Sequence, residues 1–220
     1  MIIKEIRLLL AKDFKLELKQ SYTLNSILLY AFSTVFISYL SFEGSIDGAT
    51  WNALFWIILL FTSINAVVKS FVQESPARHL YYYTLTGPQA VIISKIIYNS
   101  ILMLTITLIT FLFYVFYLGN QINNYPLYLS ALVFGSLGFA SLLTMVSAIS
   151  SRSNNNFGLM AILSFPIILP MLMTVIKVSK SALAGAAENP AAWKYIGVLA
   201  LLNVIVIILA YLLFPYLWRE

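Results

Sequence analysis

The sequence contains no cysteine and a single histidine, and these two shortages remove much chemistry at once. Without cysteine there is no disulfide, no thiolate metal site, no cysteine nucleophile and no covalent c-type haem attachment. The lone histidine, His79, stands beside Arg78 in a polar stretch and reads as a solvated side chain. Nothing therefore supports a metal centre or a histidine-ligated haem within the apolar segments. Charge is scarce as well: 10% of residues are charged, against about 25% in an ordinary soluble domain. No Gly-x-x-x-x-Gly-Lys-Ser/Thr stretch occurs, so the chain has no phosphate-cradling loop and cannot hydrolyse ATP alone. Hydroxyl side chains are plentiful, but no base is patterned with them into a triad. Catalysis is the class the sequence supports least.

What is present is apolar. Of 220 residues 61% are hydrophobic, and the mean hydropathy is +0.90. A bilayer core takes about 20 apolar residues per spanning helix, so the length has room for several spans and one domain. Apolar runs extend from Leu24 to Phe42, Trp51 to Phe71, Ala90 to Leu118, Pro126 to Ile149, Phe157 to Ile176 and Tyr195 to Leu217. The first twenty residues alternate charge with apolar side chains and lack the continuous apolar core of a signal peptide, so they are expected to persist in the mature protein. There Ile3, Ile6, Leu10 and Phe14 recur at helical spacing, with the basic residues mostly elsewhere around the wheel, as in a helix lying in the membrane interface. The expected architecture is an all-α integral membrane protein. One transmembrane domain covers residues 1–220, with an interfacial amphipathic helix over 1–22, six transmembrane helices, and a cytoplasmic helix between spans two and three.

Orientation follows from where the cations fall. With the N-terminus inside, Lys4, Arg7, Lys12, Lys15, Lys19, Lys69, Arg78, Lys95, Arg152 and Arg219 are cytoplasmic and Lys177, Lys180 and Lys194 are outside, ten against three. That satisfies the positive-inside rule and makes both termini cytoplasmic. The net charge of +5 therefore reports topology and does not argue for nucleic acid.

Four features carry functional readings. The loop Val72-Gln-Glu-Ser-Pro-Ala-Arg-His-Leu-Tyr-Tyr-Tyr-Thr-Leu-Thr-Gly-Pro88 has Ser75 to cap a helix beginning at Pro76 and Gly87-Pro88 to stop it. Such a helix, presenting Glu74, Arg78, Leu80, Tyr81, Tyr82 and Tyr83, is a docking surface or an amphipathic connector resting on lipid. In the fourth span Ala131 and Gly135, and Ser136, Ala140, Thr144 and Ala148, repeat every four residues, a small-residue pattern that lets neighbouring helices close in. Pro166 and Pro170 each remove a backbone donor from the fifth span and predict a kink or break. The exoplasmic segment from Lys177 to Lys194 places three lysines where positive charge is disfavoured, which points to anionic headgroups, a partner, or haem propionates. All acidic residues fall in loops or at termini, which lowers the case for an ion-coupled carrier.

At this point the chain resembles the CcmB family, the membrane subunit of the ABC-type haem exporter of cytochrome c maturation. The resemblance rests on three stretches. These are Arg7-Leu-Leu-Leu-Ala-Lys-Asp-Phe-Lys15, the loop with Phe71, Glu74 and Leu80 running into Gly87-Pro-Gln-Ala-Val-Ile-Ile-Ser-Lys95, and Leu163-Ser-Phe-Pro-Ile-Ile-Leu-Pro-Met-Leu172. The loop departs from the commoner family pattern, with Ser-Pro-Ala-Arg-His-Leu where a Gly-Thr/Ser-Leu-Glu run is usual. The resemblance implies six spans in a bacterial inner membrane and a CcmA-like ATPase partner seated on the Glu74 to Thr86 helix. It also implies CcmC-like and CcmD-like membrane subunits, a CcmE-like periplasmic haem chaperone, and a homodimer or hetero-oligomer. ATP would bind the partner and haem would be a substrate, with no cofactor held by this chain. The alternatives are an ABC-2 permease for a lipid, polysaccharide or drug, or a non-transporting membrane scaffold.

Overall fold

In a computed structural model the described residues are 2–19, 22–42, 46–72, 86–150, 157–184 and 190–218. Among them the chain forms seven helices and no strand: α1 (Ile2–Lys19), α2 (Tyr22–Phe42), α3 (Gly48–Val72), α4 (Pro88–Leu118), α5 (Tyr125–Ser150), α6 (Phe157–Leu183) and α7 (Pro190–Trp218). The last six each contain a stretch long and apolar enough to cross a bilayer. A helix closes its own backbone hydrogen bonds, which is what hydrocarbon demands of a crossing segment. The protein is a multi-pass membrane protein.

Local chemistry sets the ends. Asp47 caps α3: its Oδ2 accepts from the Ala49 and Thr50 amides at 3.1 Å each and its Oδ1 from the Thr50 hydroxyl at 2.6 Å. The Thr50 hydroxyl, and then its amide, hold the Asp47 carboxyl below the usual carboxylate range. At the start of α4, Gly87 is extended and Pro88 takes the first helical position, where its missing N–H costs nothing. Gly119 ends the same helix at φ 74°, a left-handed conformation that glycine adopts without strain.

Helix α5 is the axis of the bundle. Buried residues make up 78% of its span, against 22% for those of α2 and α7, so α5 touches protein on most sides while α2 and α7 turn most of their surface to the surroundings. It packs on α3, α4, α6 and α7. Every member of the small-residue pattern from Ala131 to Ala148 is buried, so the pattern serves packing within the chain. Gly135 and Gly138 show how tightly. A methyl at 135 would meet the Trp56 ring at 3.0 Å and Val175 at 3.2 Å, and one at 138 would collide with the Met171 thioether and meet Asn203 Oδ1 at 3.1 Å.

The end of the bundle away from α1 is stitched by polar contacts. Trp51 Nε1 donates to the Gly119 carbonyl at 3.2 Å, and the Tyr114 hydroxyl donates to the Trp51 carbonyl at 2.7 Å. Gln121 Nε2 donates to the Ile46 carbonyl at 2.6 Å, and the Asn124 amide donates to the Ala182 carbonyl at 2.9 Å. Trp56 Nε1 donates to Ser179 Oγ at 2.9 Å. The beginning of α3, the α4–α5 loop and the end of α6 are thereby fixed to one another.

One sequence expectation changes and a second narrows. The segment from Lys177 to Lys194, read as a long loop, is largely helix, because α6 runs to Leu183 and α7 begins at Pro190. The reason is that Val175, Val178, Ser179 and Ala182 continue a buried stripe at helical spacing, so the inward face extends past Lys177 while Lys177 and Lys180 point out. Of the kink or break expected at the prolines of the fifth span, the break does not occur, since α6 is continuous through Pro166 and Pro170. Both prolines are exposed, so their rings crowd the outer side of the helix. The coupling helix expected between spans two and three falls on residues 73–85, outside the described residues.

Candidate functional site

Helix α1 carries Glu5, Asp13 and Glu17 on one face, with Leu9 between the first two. All of these are buried or half-buried. That face lies on the beginning of α4. The Glu5 carboxylate accepts from the Gly87 amide at 3.5 Å, Asp13 meets Lys95 Nζ at 3.5 Å, and Glu17 Oε2 accepts from the Tyr98 hydroxyl at 2.9 Å. Partners are separated by 82, 82 and 81 residues in sequence. A nearly constant offset means that α1 and the first turns of α4 run side by side in the same direction. The Phe14 and Tyr98 rings, edge to face at 5.4 Å, close the seam, and Leu10 packs with Leu24 and Leu28 on the cluster around Tyr98, Leu102 and Ile106.

Lys95 and Asp13 are each about 5% exposed. A charge buried that far is tolerated only when paired, and Asp13 is also 3.1 Å from Lys12. The length of α4 explains how such a pair exists in a membrane protein. Its 31 residues span ~46 Å at 1.5 Å per residue, whereas a hydrocarbon core is about 30 Å thick. The surplus is about as long as the first turns of α4, the part that α1 flanks.

The sequence reading placed the apolar stripe of α1 at Ile3, Ile6, Leu10 and Phe14. In the structure Ile6 and Leu10 are half-buried, whereas Ile3 is 83% exposed. The buried face is rotated toward the acids because α4 offers them a lysine, a tyrosine and a backbone amide. Asp13, Glu17, Lys95 and Tyr98 were not singled out from sequence. The available signals were acids at helical spacing and a lysine two turns into an apolar run.

Glu74, Arg78, Leu80, Tyr81, Tyr82 and Tyr83 lie outside the described residues. The chain leaves that segment at Thr86 and Gly87, directly at the α1 contact through Glu5. At the opposite end of the bundle Lys177, Lys180 and Lys194 are all exposed. Lys177 Nζ stands 5.9 Å from the centre of the Tyr195 ring, within cation–π range, so the ends of α6 and α7 bring Lys177 close to the residue that follows Lys194. Pro166 and Pro170 share the outer side of α6 with Phe165, Ile167, Leu169 and Met173. The carbonyls of Ile162 and Pro166, four residues earlier, therefore have no helical donor. Among the described residues no three His, Cys, Asp or Glu side chains gather as a metal site.

Residues 4–216 of the chain, nearly its whole length, match the family described as CcmB protein. No curated protein and no solved structure matches it.

Proposed function

The chain belongs to the CcmB family, membrane subunits of the haem-exporting ABC system of cytochrome c maturation, and from that premise we propose that it receives the work of ATP hydrolysis from a separate CcmA-like ATPase. The work would serve haem export or release of a haem-loaded CcmE-like chaperone, beside CcmC-like and CcmD-like subunits. In this reading the chain sits in the bacterial inner membrane with the α1 end cytoplasmic. The chain contains no phosphate-cradling loop, so the energy must enter by contact.

The observation that supports this reading best is the α1–α4 junction. The segment with Glu74, Arg78, Leu80 and Tyr81 to Tyr83 feeds into α4 at Gly87, where α1 is already clasped to α4 through Glu5, Asp13 and Glu17. A load on that segment reaches two helices together. The residue types suit an interface: a carboxylate acceptor at Glu74, a guanidinium fork at Arg78 and an aromatic anchor at Tyr81 to Tyr83. At the exoplasmic end Lys177, Lys180 and Lys194 would meet the chaperone or haem propionates, and the outer face with Pro166 and Pro170 would bend during the cycle.

The deciding experiment is co-purification. Glu74→Lys, and Leu80 and Tyr82 together changed to Asp, are expected to preserve membrane insertion but to lose the ATPase and cytochrome c maturation. Retention of the ATPase at wild-type yield by both variants would move the contact to another cytoplasmic segment, such as α1 or the loop holding Arg152.

A further inference from the structure

A cleft of about 260 Å³ opens where the first turn of α4 meets the last turns of α7, lined by Gln89, Tyr211, Leu212, Pro215 and Tyr216. The lining holds an amide and two phenols but no charged side chain, and none of those three polar groups hydrogen-bonds to another described residue. A fourth polar group comes from the backbone. Pro215 lies inside α7 and has no N–H, so the carbonyl of Tyr211, four residues earlier, has no helical donor. A helical carbonyl points along the axis toward the residue four places on, and Tyr211 and Pro215 both line the cleft. The free acceptor therefore stands in its wall.

Depth narrows what can fill the cleft. The apolar stretch of α7 ends at Tyr216, and Trp218, Arg219 and Glu220 follow it in sequence, the order of residues that marks the passage from hydrocarbon to headgroups. From the cleft toward the middle of the bilayer, α7 exposes Leu212, Leu209, Ile208 and Ile205, an apolar track for acyl chains. A backbone acceptor at that edge is costly unless a donor reaches it, and the chain supplies none.

Charge narrows it further. A lining without a charged side chain suits a headgroup of zero net charge, with the Gln89 amide to donate to a phosphate and the Tyr211 carbonyl to accept from a cation. A choline headgroup is net neutral but has no N–H, so it would leave the carbonyl unmet. Phosphatidylglycerol would bring a net negative charge to a lining without a cation. We propose that this cleft binds phosphatidylethanolamine, the primary ammonium donating to the Tyr211 carbonyl and the phosphate accepting from the Gln89 side chain, so that one lipid bridges the beginning of α4 and the end of α7. This inference does not depend on the ATPase contact proposed above.

Native mass spectrometry of the full chain released from detergent tests it, with phosphatidylethanolamine, phosphatidylcholine and phosphatidylglycerol of the same acyl chains titrated separately. The parent chain should retain phosphatidylethanolamine over phosphatidylcholine by at least about tenfold, the worth of one hydrogen bond to a charged group. Pro215→Ala returns an amide donor to the Tyr211 carbonyl, so it should bring that ratio close to one, and because it completes a helical bond it should not weaken the fold. Gln89→Leu removes a contact that both zwitterionic lipids share, so it should weaken both by a similar factor and keep the ratio. Equal retention of the two lipids by the parent, or a preference for phosphatidylcholine or phosphatidylglycerol, overturns the proposal. So does a Pro215→Ala variant that keeps the full preference for phosphatidylethanolamine, since the lipid would then be bound elsewhere.

Discussion

A carboxylate and an ammonium withdrawn from water at the edge of a membrane survive only as a pair. Asp13 and Lys95 are that pair, with Lys12 as a second cation on the carboxylate. Their coupling is measurable because reversal is possible. Asp13→Lys sets a third ammonium beside Lys12 and Lys95, so thermal unfolding in detergent is expected to show a large loss, of about 3–5 kcal/mol for a broken buried pair. Lys95→Met should cost less, since Lys12 remains on Asp13. The reversed pair, Asp13→Lys with Lys95→Asp, should recover part of the loss, with a coupling energy on the order of 1 kcal/mol or more. Additive single effects would mean that the two side chains are neighbours without being partners. Neither residue stood out in the sequence. Asp13 lies in a helix rich in charge, and Lys95 was counted with the cytoplasmic cations because hydropathy weighs a residue by its neighbours in sequence, whereas its partner is 82 residues away.

Among the elements, the spans were the most legible part, because a bilayer sets a minimum apolar length and six runs in the sequence meet it. Ends were less legible. Lys177 and Lys180 looked like the edge of a loop, yet α6 continues for two more turns since Val178, Ser179 and Ala182 still face inward; a charge on the outer side of a helix does not end it. The prolines show the converse. Pro166 and Pro170 predict a kink or a break, and α6 runs through both without breaking. Each proline removes the helical donor of the carbonyl four residues earlier, a loss expected to soften the helix. Phe165 before them and Ile167 and Leu169 between them are exposed, while beyond them α6 is tied to α3 through Asn52 and Trp56. Spin labels at 165 and 180 should report a broad distance distribution in the parent chain. Pro166→Ala with Pro170→Ala should narrow it and lower cytochrome c maturation at unchanged protein level. A narrow distribution in the parent would make the prolines purely architectural.

At the scale of the molecule, the two ends of the bundle differ in a way that fixes its expected orientation. One end holds α1 with Lys4, Arg7, Lys12, Lys15 and Lys19, and Lys95 beside it; the other holds the polar loops joined through Ile46, Gln121, Asn124 and Ala182 and Lys177, Lys180 and Lys194. The physical basis of the positive-inside rule is that cations close to a span are retained on the cytoplasmic side during insertion. The cations of α1 lie within one short helix of the first span, so they weigh most in that choice, and the even number of spans carries the C-terminus to the same side. The contacts among the loops at 46, 121 and 182 agree on which loops share an end, and that is independent of charge. The α1 end is thus the one expected to face the cytoplasm. In sealed cells a membrane-impermeant thiol reagent should label single cysteines placed at Asp47 or Asn123, and should reach Arg78→Cys or Ser153→Cys only after the membrane is opened. Labelling of the second pair from outside would invert the chain. It would also remove the ATPase from the α1 end, because an enzyme that consumes cytoplasmic ATP cannot dock on the other side.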